Sequence, residues 1–173
     1  ASGNGTSHTL AYSLNGIEWY GLGNDVFSVE ANGVAYNGAK WVAVGKGDTH
    51  TIATSEDGIV WTGQGKPVFT ESATSILWFK NKWIATGAGG NSLAYSTDGI
   101  NWTGLSTSIF SVSGNDISVS PDILVACGEG TNTLATSEDG IAWTGLGVSV
   151  FSAKCLKVNY TGTRWVAAGQ GTN

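Results

Sequence analysis

Ser55-Glu56-Asp57-Gly58-Ile59-Val60-Trp61 is one of four copies of a heptad, Ser-x-(Asp/Asn)-Gly-Ile-x-Trp, that organises this chain. The others are Ser13-Leu14-Asn15-Gly16-Ile17-Glu18-Trp19, Ser96-Thr97-Asp98-Gly99-Ile100-Asn101-Trp102 and Ser137-Glu138-Asp139-Gly140-Ile141-Ala142-Trp143. Their serines lie 42, 41 and 41 residues apart. A fixed period of this size marks a repeat architecture, in which each unit needs its neighbours to bury its apolar face. A carboxylate present in nearly every unit is therefore read first as serving the unit. Ser and Asp oxygens cap turn N–H groups, Gly supplies the positive φ and Trp packs beneath. Asn15 makes similar bonds without a charge, which suits a structural role better than a catalytic one.

Working outward, an apolar run precedes each heptad: Trp41 to Gly45, Trp83 to Gly87 and Leu124 to Gly128, with a fourth at Trp165 to Gly169. Before each run lies a second strand-like stretch (Val34-Ala35-Tyr36, Ile76-Leu77-Trp78, Ile117-Ser118-Val119, Val158-Asn159-Tyr160). Short turns such as Asn37-Gly38 join the two, as in β-hairpins. Each unit thus reads as four strands, A to D, at about 74–79, 83–87, 92–96 and 100–104 in the second copy. No helical period of apolar residues competes. Four-stranded antiparallel sheets repeated at this interval are the blades of an all-β propeller.

Eight residues after each heptad Trp stands a Phe (Phe27, Phe69, Phe110, Phe151), preceded by Val26, Val68, Ile109 or Val150. This pair is expected to plug the space between blades on the D-to-A crossover. Trp78, the one Trp outside the repeated positions, is a candidate stacking residue. Its alignment with Tyr36 and Tyr160 favours an inner-strand core role.

The heptad resembles the Asp-box of sialidase-type and related bacterial-repeat propellers, and the resemblance covers the whole chain. The family motif is usually Ser-x-Asp-x-Gly-x-Thr-Trp, so this version is one residue shorter between Asp and Gly. The resemblance implies a β-propeller whose boxes are structural hairpins set away from any catalytic centre. It would also require, for a sialidase, three arginines around a substrate carboxylate. This chain has only Arg164.

Composition agrees with a compact β domain. Among 173 residues there are 26 Gly, 2 Pro and 8 Trp, with 12% charged and 41% hydrophobic. Such a mixture suits short strands, tight turns and aromatics between sheets. A net charge of −5 without a Lys/Arg cluster argues against nucleic acid. No apolar run reaches the length of a membrane span. Cys127 and Cys155 lack metal-ligand spacing and are read as free, buried thiols.

The phase of the repeat divides the single propeller unit into blades at 33–63, 74–104 and 116–145. A fourth combines 154–169 with 8–21, from the same or a partner chain, so terminal strands share one sheet. Gly169-Gln170-Gly171-Thr172-Asn173 also matches Gly3-Asn4-Gly5-Thr6-Ser7, as a segment excised from a longer array would show. With sheets roughly 10 Å apart at the inner strand and strands about 4.8 Å apart, a four-bladed ring separates its outer strands by roughly 30 Å and an eight-bladed ring by roughly 21 Å. Short units with small outer residues favour the narrower gap. Two chains forming eight blades by strand exchange are therefore expected, with a four-bladed monomer as the alternative.

Chemistry should appear as residues that break the repeat. The acids outside it (Asp25, Glu30, Asp48, Glu71, Asp116, Asp122, Glu129) are scattered, and none forms the carboxyl pair a glycosidase needs. No nucleophile-elbow or complete phosphate-loop pattern occurs. Catalytic residues, metal and cofactor are accordingly none. His8, His50, Asn91 and Asn132 share one repeat position, before strand C, and together with Asp48 and Glu129 form the candidate ligand-binding set. Amide, imidazole and carboxylate groups in a loop ring suit a glycan or a protein surface. The expected function is a non-enzymatic scaffold or binding module; a structural assembly fragment is the alternative and a glycosidase relic the least favoured.

Overall fold

The computed structural model describes residues 1–171, so the Thr172-Asn173 part of the terminal sequence match lies outside the described residues. Among the described residues every regular element is a β-strand. Three complete four-stranded antiparallel sheets follow one another along the chain. The first holds β3 (Glu30–Tyr36), β4 (Trp41–Lys46), β5 (Ile52–Ser55) and β6 (Thr62–Gly63). The second holds β7 (Ser72–Phe79), β8 (Lys82–Ala88), β9 (Leu93–Ser96) and β10 (Trp102–Gly104). The third holds β11 (Ser113–Val119), β12 (Leu124–Glu129), β13 (Leu134–Ser137) and β14 (Thr144–Gly145).

Two hairpins flank these sheets: β1 (Ala11–Tyr12) with β2 (Tyr20–Gly21), and β15 (Lys154–Tyr160) with β16 (Trp165–Gln170). The first supplies strands C and D of a unit, the second strands A and B. Within the chain they belong to separate sheets, and the fourth blade stays in two halves. The β15 hairpin joins the third sheet through the pair Glu129↔Lys154. Strand D is shorter than the sequence suggests, starting at the heptad Trp in the second sheet and one residue after it in the first and third, rather than two residues before it. The reason is local: the box oxygens take the N–H groups of those preceding residues, which therefore cannot enter the ladder.

The core lies between sheets. Phe69 and Trp83 pack with Val42, Val44 and Ile52 across the first junction, while Phe110 joins Ile84 and Leu93 to Ile117 and Leu124 across the second. Phe27, Phe69 and Phe110 are fully buried, so the crossover Phe acts as the interblade plug. Trp78 packs edge-on against Trp83 at 4.9 Å, as Tyr36 and Tyr160 pack on Trp41 and Trp165. Cross-strand aromatic pairs of this kind add to sheet stability beyond the area they bury.

A bulge in each inner strand supplies a polar clasp between blades. Asn32 Nδ2 donates to the Ala73 carbonyl at 3.0 Å, Thr74 Oγ1 to Gly114 at 2.7 Å and Asn115 Nδ2 to Cys155 at 2.7 Å. The ladder register shifts at each of these residues, and again at Leu156. An extra bulge residue is left free of the ladder and can aim its side chain sideways.

Ile84 is completely buried between the second and third sheets. Replacing it by Ala should cost about 2–4 kcal/mol, since it removes apolar burial and leaves a cavity. Urea denaturation monitored by Trp fluorescence measures this as a lowered midpoint at unchanged slope.

Candidate functional site: boxes, clamps and open edges

Each box is closed by the same set of hydrogen bonds. The Gly58, Gly99 and Gly140 N–H groups donate to the Ser55, Ser96 and Ser137 hydroxyls at 2.9 Å, and Gly16 to Ser13 at 2.8 Å. Asp98 Oδ1 accepts from Ile100 and Asn101 N–H at 2.8 and 2.7 Å, Asp57 from Ile59 and Val60, and Asp139 from Ile141 and Ala142. Asn15 Oδ1 reproduces the pattern with Ile17 and Glu18. The indoles of Trp19, Trp61, Trp102 and Trp143 donate to the carbonyls of Gly16, Gly58, Gly99 and Gly140. The four glycines hold φ between 75° and 78°, a conformation disfavoured for residues with a Cβ.

These bonds favour the ionised carboxylates. The Asn101 side chain and the Ile100 and Asn101 amides hold Asp98 well below the usual carboxylate range. Backbone amides likewise lower Asp57 and Asp139. An acid so held is a poor proton donor or acceptor near neutral pH.

The His/Asn position proves to be a second structural device. His50 Nδ1 accepts from Gly65 N–H and His8 Nδ1 from Gly23 N–H, both at 2.8 Å. The neutral imidazole therefore carries its proton on Nε2. Asn91 Oδ1 accepts from Ser106 and Asn132 Oδ1 from Gly147, while their Nδ2 groups donate to Val68 and Ile109 carbonyls at 2.8 Å. Each side chain clamps the start of strand C to the crossover after strand D. The clamp lies over a glycine of strand D: a Cβ at Gly21, Gly63, Gly104 or Gly145 would run into His8, His50, Asn91 or Asn132. That glycine falls two residues after every box Trp, a signal that extends the heptad.

The remaining candidates stand apart in role. Asp48 Oδ2 accepts from Ser28 Oγ at 3.0 Å, and its own N–H donates back to that hydroxyl at 2.9 Å. Glu129 ends β12 with its backbone paired to Ser113 and Lys154. Among the described residues no group of three His, Cys, Asp or Glu side chains could hold a metal ion. Cys127 and Cys155 are free thiols packed in one small cluster with Val125 and Val158, and burial pushes both up. Neither is suited to thiolate chemistry.

The open edges are the least satisfied parts of the molecule. Val42 of the first sheet lies against the box Gly99 of the second, and Ile84 of the second lies against Gly140 of the third. Val166 holds the same repeat position on β16 but is 59% exposed. At the other end, the atoms nearest Gly58 are those of its own sheet's Trp41, and Gly16 meets nothing within 4 Å. A groove of about 270 Å³ beside Gly58 is lined by Tyr12, Trp19, Trp41, Ile59 and Trp61 among others. Its neighbours Leu14 and Ile17 are almost fully exposed.

No protein-family model matches this chain, and no curated protein matches it. Solved structures do. A chain of the nidogen/laminin complex aligns over 90% of this chain and 61% of its own length, at 15% identity and a TM-score of 0.66. The computationally designed Ika4 protein aligns over 82% and 87% of the two chains, at 13% identity and a TM-score of 0.58. The GH74 enzyme of Niastella koreensis aligns over 89% of this chain but 23% of its own, at 20% identity and a TM-score of 0.58. With the sheets described above, these likenesses define the fold as a β-propeller type, open in the single chain. At such identities they speak to fold alone.

Two predictions follow from the box and the clamp. Because Asp98 is lowered in the folded state, its bonds stabilise fully above the ordinary carboxylate pKa of about 3.9 and are lost as pH falls below it. Asp98→Asn should therefore flatten the fall in melting temperature between about pH 4 and pH 2, followed by circular dichroism. Asn91→Ala removes one partly buried and one exposed hydrogen bond and should destabilise by about 1–2 kcal/mol. Asn91→His should recover part of that loss through the single acceptor bond seen at His50, which denaturant titration measures.

Proposed function

We propose that this chain is a non-enzymatic scaffold or binding module of Asp-box type that works as half of an eight-bladed ring built from two copies. One observation carries this reading: the described residues include two partial blades, and each has what the other lacks. The β1–β2 hairpin has strands C and D with a groove where strand B belongs, and β16 is a strand B with an exposed Val166. Completing the sheet would cover the exposed Val166 and the groove beside Trp19 and Trp61.

The non-enzymatic part of the proposal draws on the chemistry of the acids. The box carboxylates are held ionised by turn amides, and Asp48 is bonded to a serine. The face that carries His8, His50, Asn91 and Asn132 is the one offered to a glycan or protein ligand, with the clamps shaping it. A glycan array followed by calorimetry tests that part, and silence across diverse sugars would remove the glycan.

Assembly is tested by light scattering. The two-copy ring gives a mass of about 36 kDa, twice the 17.8 kDa chain. Val166→Asp should return it to the single-chain mass without unfolding, because the residue is exposed in the single chain. A wild-type mass of 17.8 kDa at all concentrations would favour the four-bladed monomer instead.

A further inference from the structure

The chain holds two cysteines, Cys127 and Cys155, and the repeat places them on the two sides of one contact. Cys127 on β12 pairs with Leu134, as Val44 on β4 pairs with Ile52 and Thr86 on β8 with Leu93. Cys155 on β15 pairs with Gly169, as Ala73 on β7 pairs with Gly87 and Gly114 on β11 with Gly128. Each junction therefore sets one residue of strand B against one residue of the next strand A: Val44 against Ala73, Thr86 against Gly114, Cys127 against Cys155. The first two are ordinary pairs of a larger and a smaller residue. The third replaces both partners with thiols at once, and these lie within hydrogen-bond reach of each other.

We propose that Cys127 and Cys155 are a disulfide-forming pair, a covalent staple between the third sheet and the β15–β16 hairpin, with a low-molecular-weight disulfide as the oxidant. Geometry carries it. A Cβ built on Gly114 would stand 2.9 Å from the Cβ of Thr86, so the fold brings these two repeat positions face to face. A disulfide needs Cβ atoms about 3.5–4.5 Å apart, so the third junction has only to stand slightly wider than the second. The backbone of Cys155 is pinned to the third sheet: Asn115 Nδ2 donates to its carbonyl at 2.7 Å, and the neighbouring Lys154 pairs with Glu129. Both thiols are fully buried beside Val125 and Val158, so a seated hairpin shuts the pair off from solvent. The proposal is independent of the eight-bladed reading, since both residues belong to one junction of one chain.

The bond forms by two displacements. One cysteine gives up its proton, and its thiolate attacks a sulfur of the small disulfide, forming a mixed disulfide and expelling one small thiolate. The second cysteine, likewise deprotonated, attacks the protein-bound sulfur, closes the Cys127–Cys155 bond and expels the other small thiolate. The two leaving thiolates take up the two protons, so the cysteines lose two electrons in all and the small disulfide gains them. Burial raises both thiols, which makes the exchange slow in the folded chain. The bond therefore forms while the hairpin is still unseated, and seating then protects it from reductant.

The test refolds the full chain from the reduced, denatured state in a mixture of oxidised and reduced glutathione, then counts thiols and maps linked peptides by mass spectrometry. An intrachain Cys127–Cys155 link should form during refolding, and roughly tenfold more slowly when the oxidant meets the chain already folded. The linked chain should melt about 5–10 °C above the reduced one, because the link constrains the unfolded chain. Cys127→Val with Cys155→Ala rebuilds the Val44–Ala73 pair of the first junction, so this double variant should fold and its melting temperature should ignore the oxidant. Cys155→Ala alone serves the same comparison should the double variant fail to fold. Two free thiols after oxidative refolding overturn the proposal, as do links formed only between chains, or a linked chain that melts no higher than the reduced one.

Discussion

Everything in this fold depends on how the C-to-D turn disposes of its backbone N–H groups. A turn this tight aims several amides at one point, where no strand can accept them. The box answers with a serine hydroxyl and a carboxylate oxygen placed two residues apart, so that Gly N–H meets one and the next two amides meet the other. Once the turn is closed, its glycine offers a surface without a side chain, and the preceding blade fills that surface with Val42 or Ile84. The polar turn and the apolar interblade contact are two faces of one device. Remove the first and the second loses its socket.

The same logic explains what was legible in the sequence. Period, strand order and the crossover Phe were readable because each repeats with the chemistry that causes it: alternating burial, tight-turn glycines and aromatic plugs. Strand D was read too long because a repeated Ile looks like a strand residue, although Ile59, Ile100 and Ile141 ride on the turn with substantial exposure. The His8, His50, Asn91 and Asn132 position was harder. Imidazole and carboxamide look like ligand-binding groups, and the feature that identifies them as clamps lies in glycines from 13 residues further along the chain, at Gly21, Gly63, Gly104 and Gly145. Contacts between strands C and D of one hairpin carry no local signature unless the two positions are read together. The match between Gly3-Asn4 and Gly169-Gln170 was visible in the sequence, and the hydrogen-bond register shows Ser2 and Gly3 pairing beside β1 as strand B residues do.

His and Asn alternate at the clamp because both present an acceptor at a similar reach from the backbone. Asn adds a donor, and so bonds a carbonyl of the crossover entering its sheet as well as an amide of the crossover leaving it. Asn stands in the second and third sheets, whereas His8 sits in the unfinished half and His50 in the complete first sheet. A repeat protein can vary its polar groups in this way only where the backbone partner is constant, since the partner fixes the geometry and the side chain merely reaches it.

The bulge residues carry a consequence for temperature. Asn32, Thr74 and Asn115 cross each internal junction with a hydrogen bond, whereas the fourth bulge holds Leu156, which has no donor to offer. Whatever meets β15 at that point meets methyl groups. Contact there draws its strength from displaced water, and that contribution weakens on cooling while a directional bond between amides does not fade in the same way. The three internal junctions and the outward-facing one thus respond differently to cold. In the proposed two-copy ring, chilling is expected to weaken a seam made at Leu156 before the three clasped junctions.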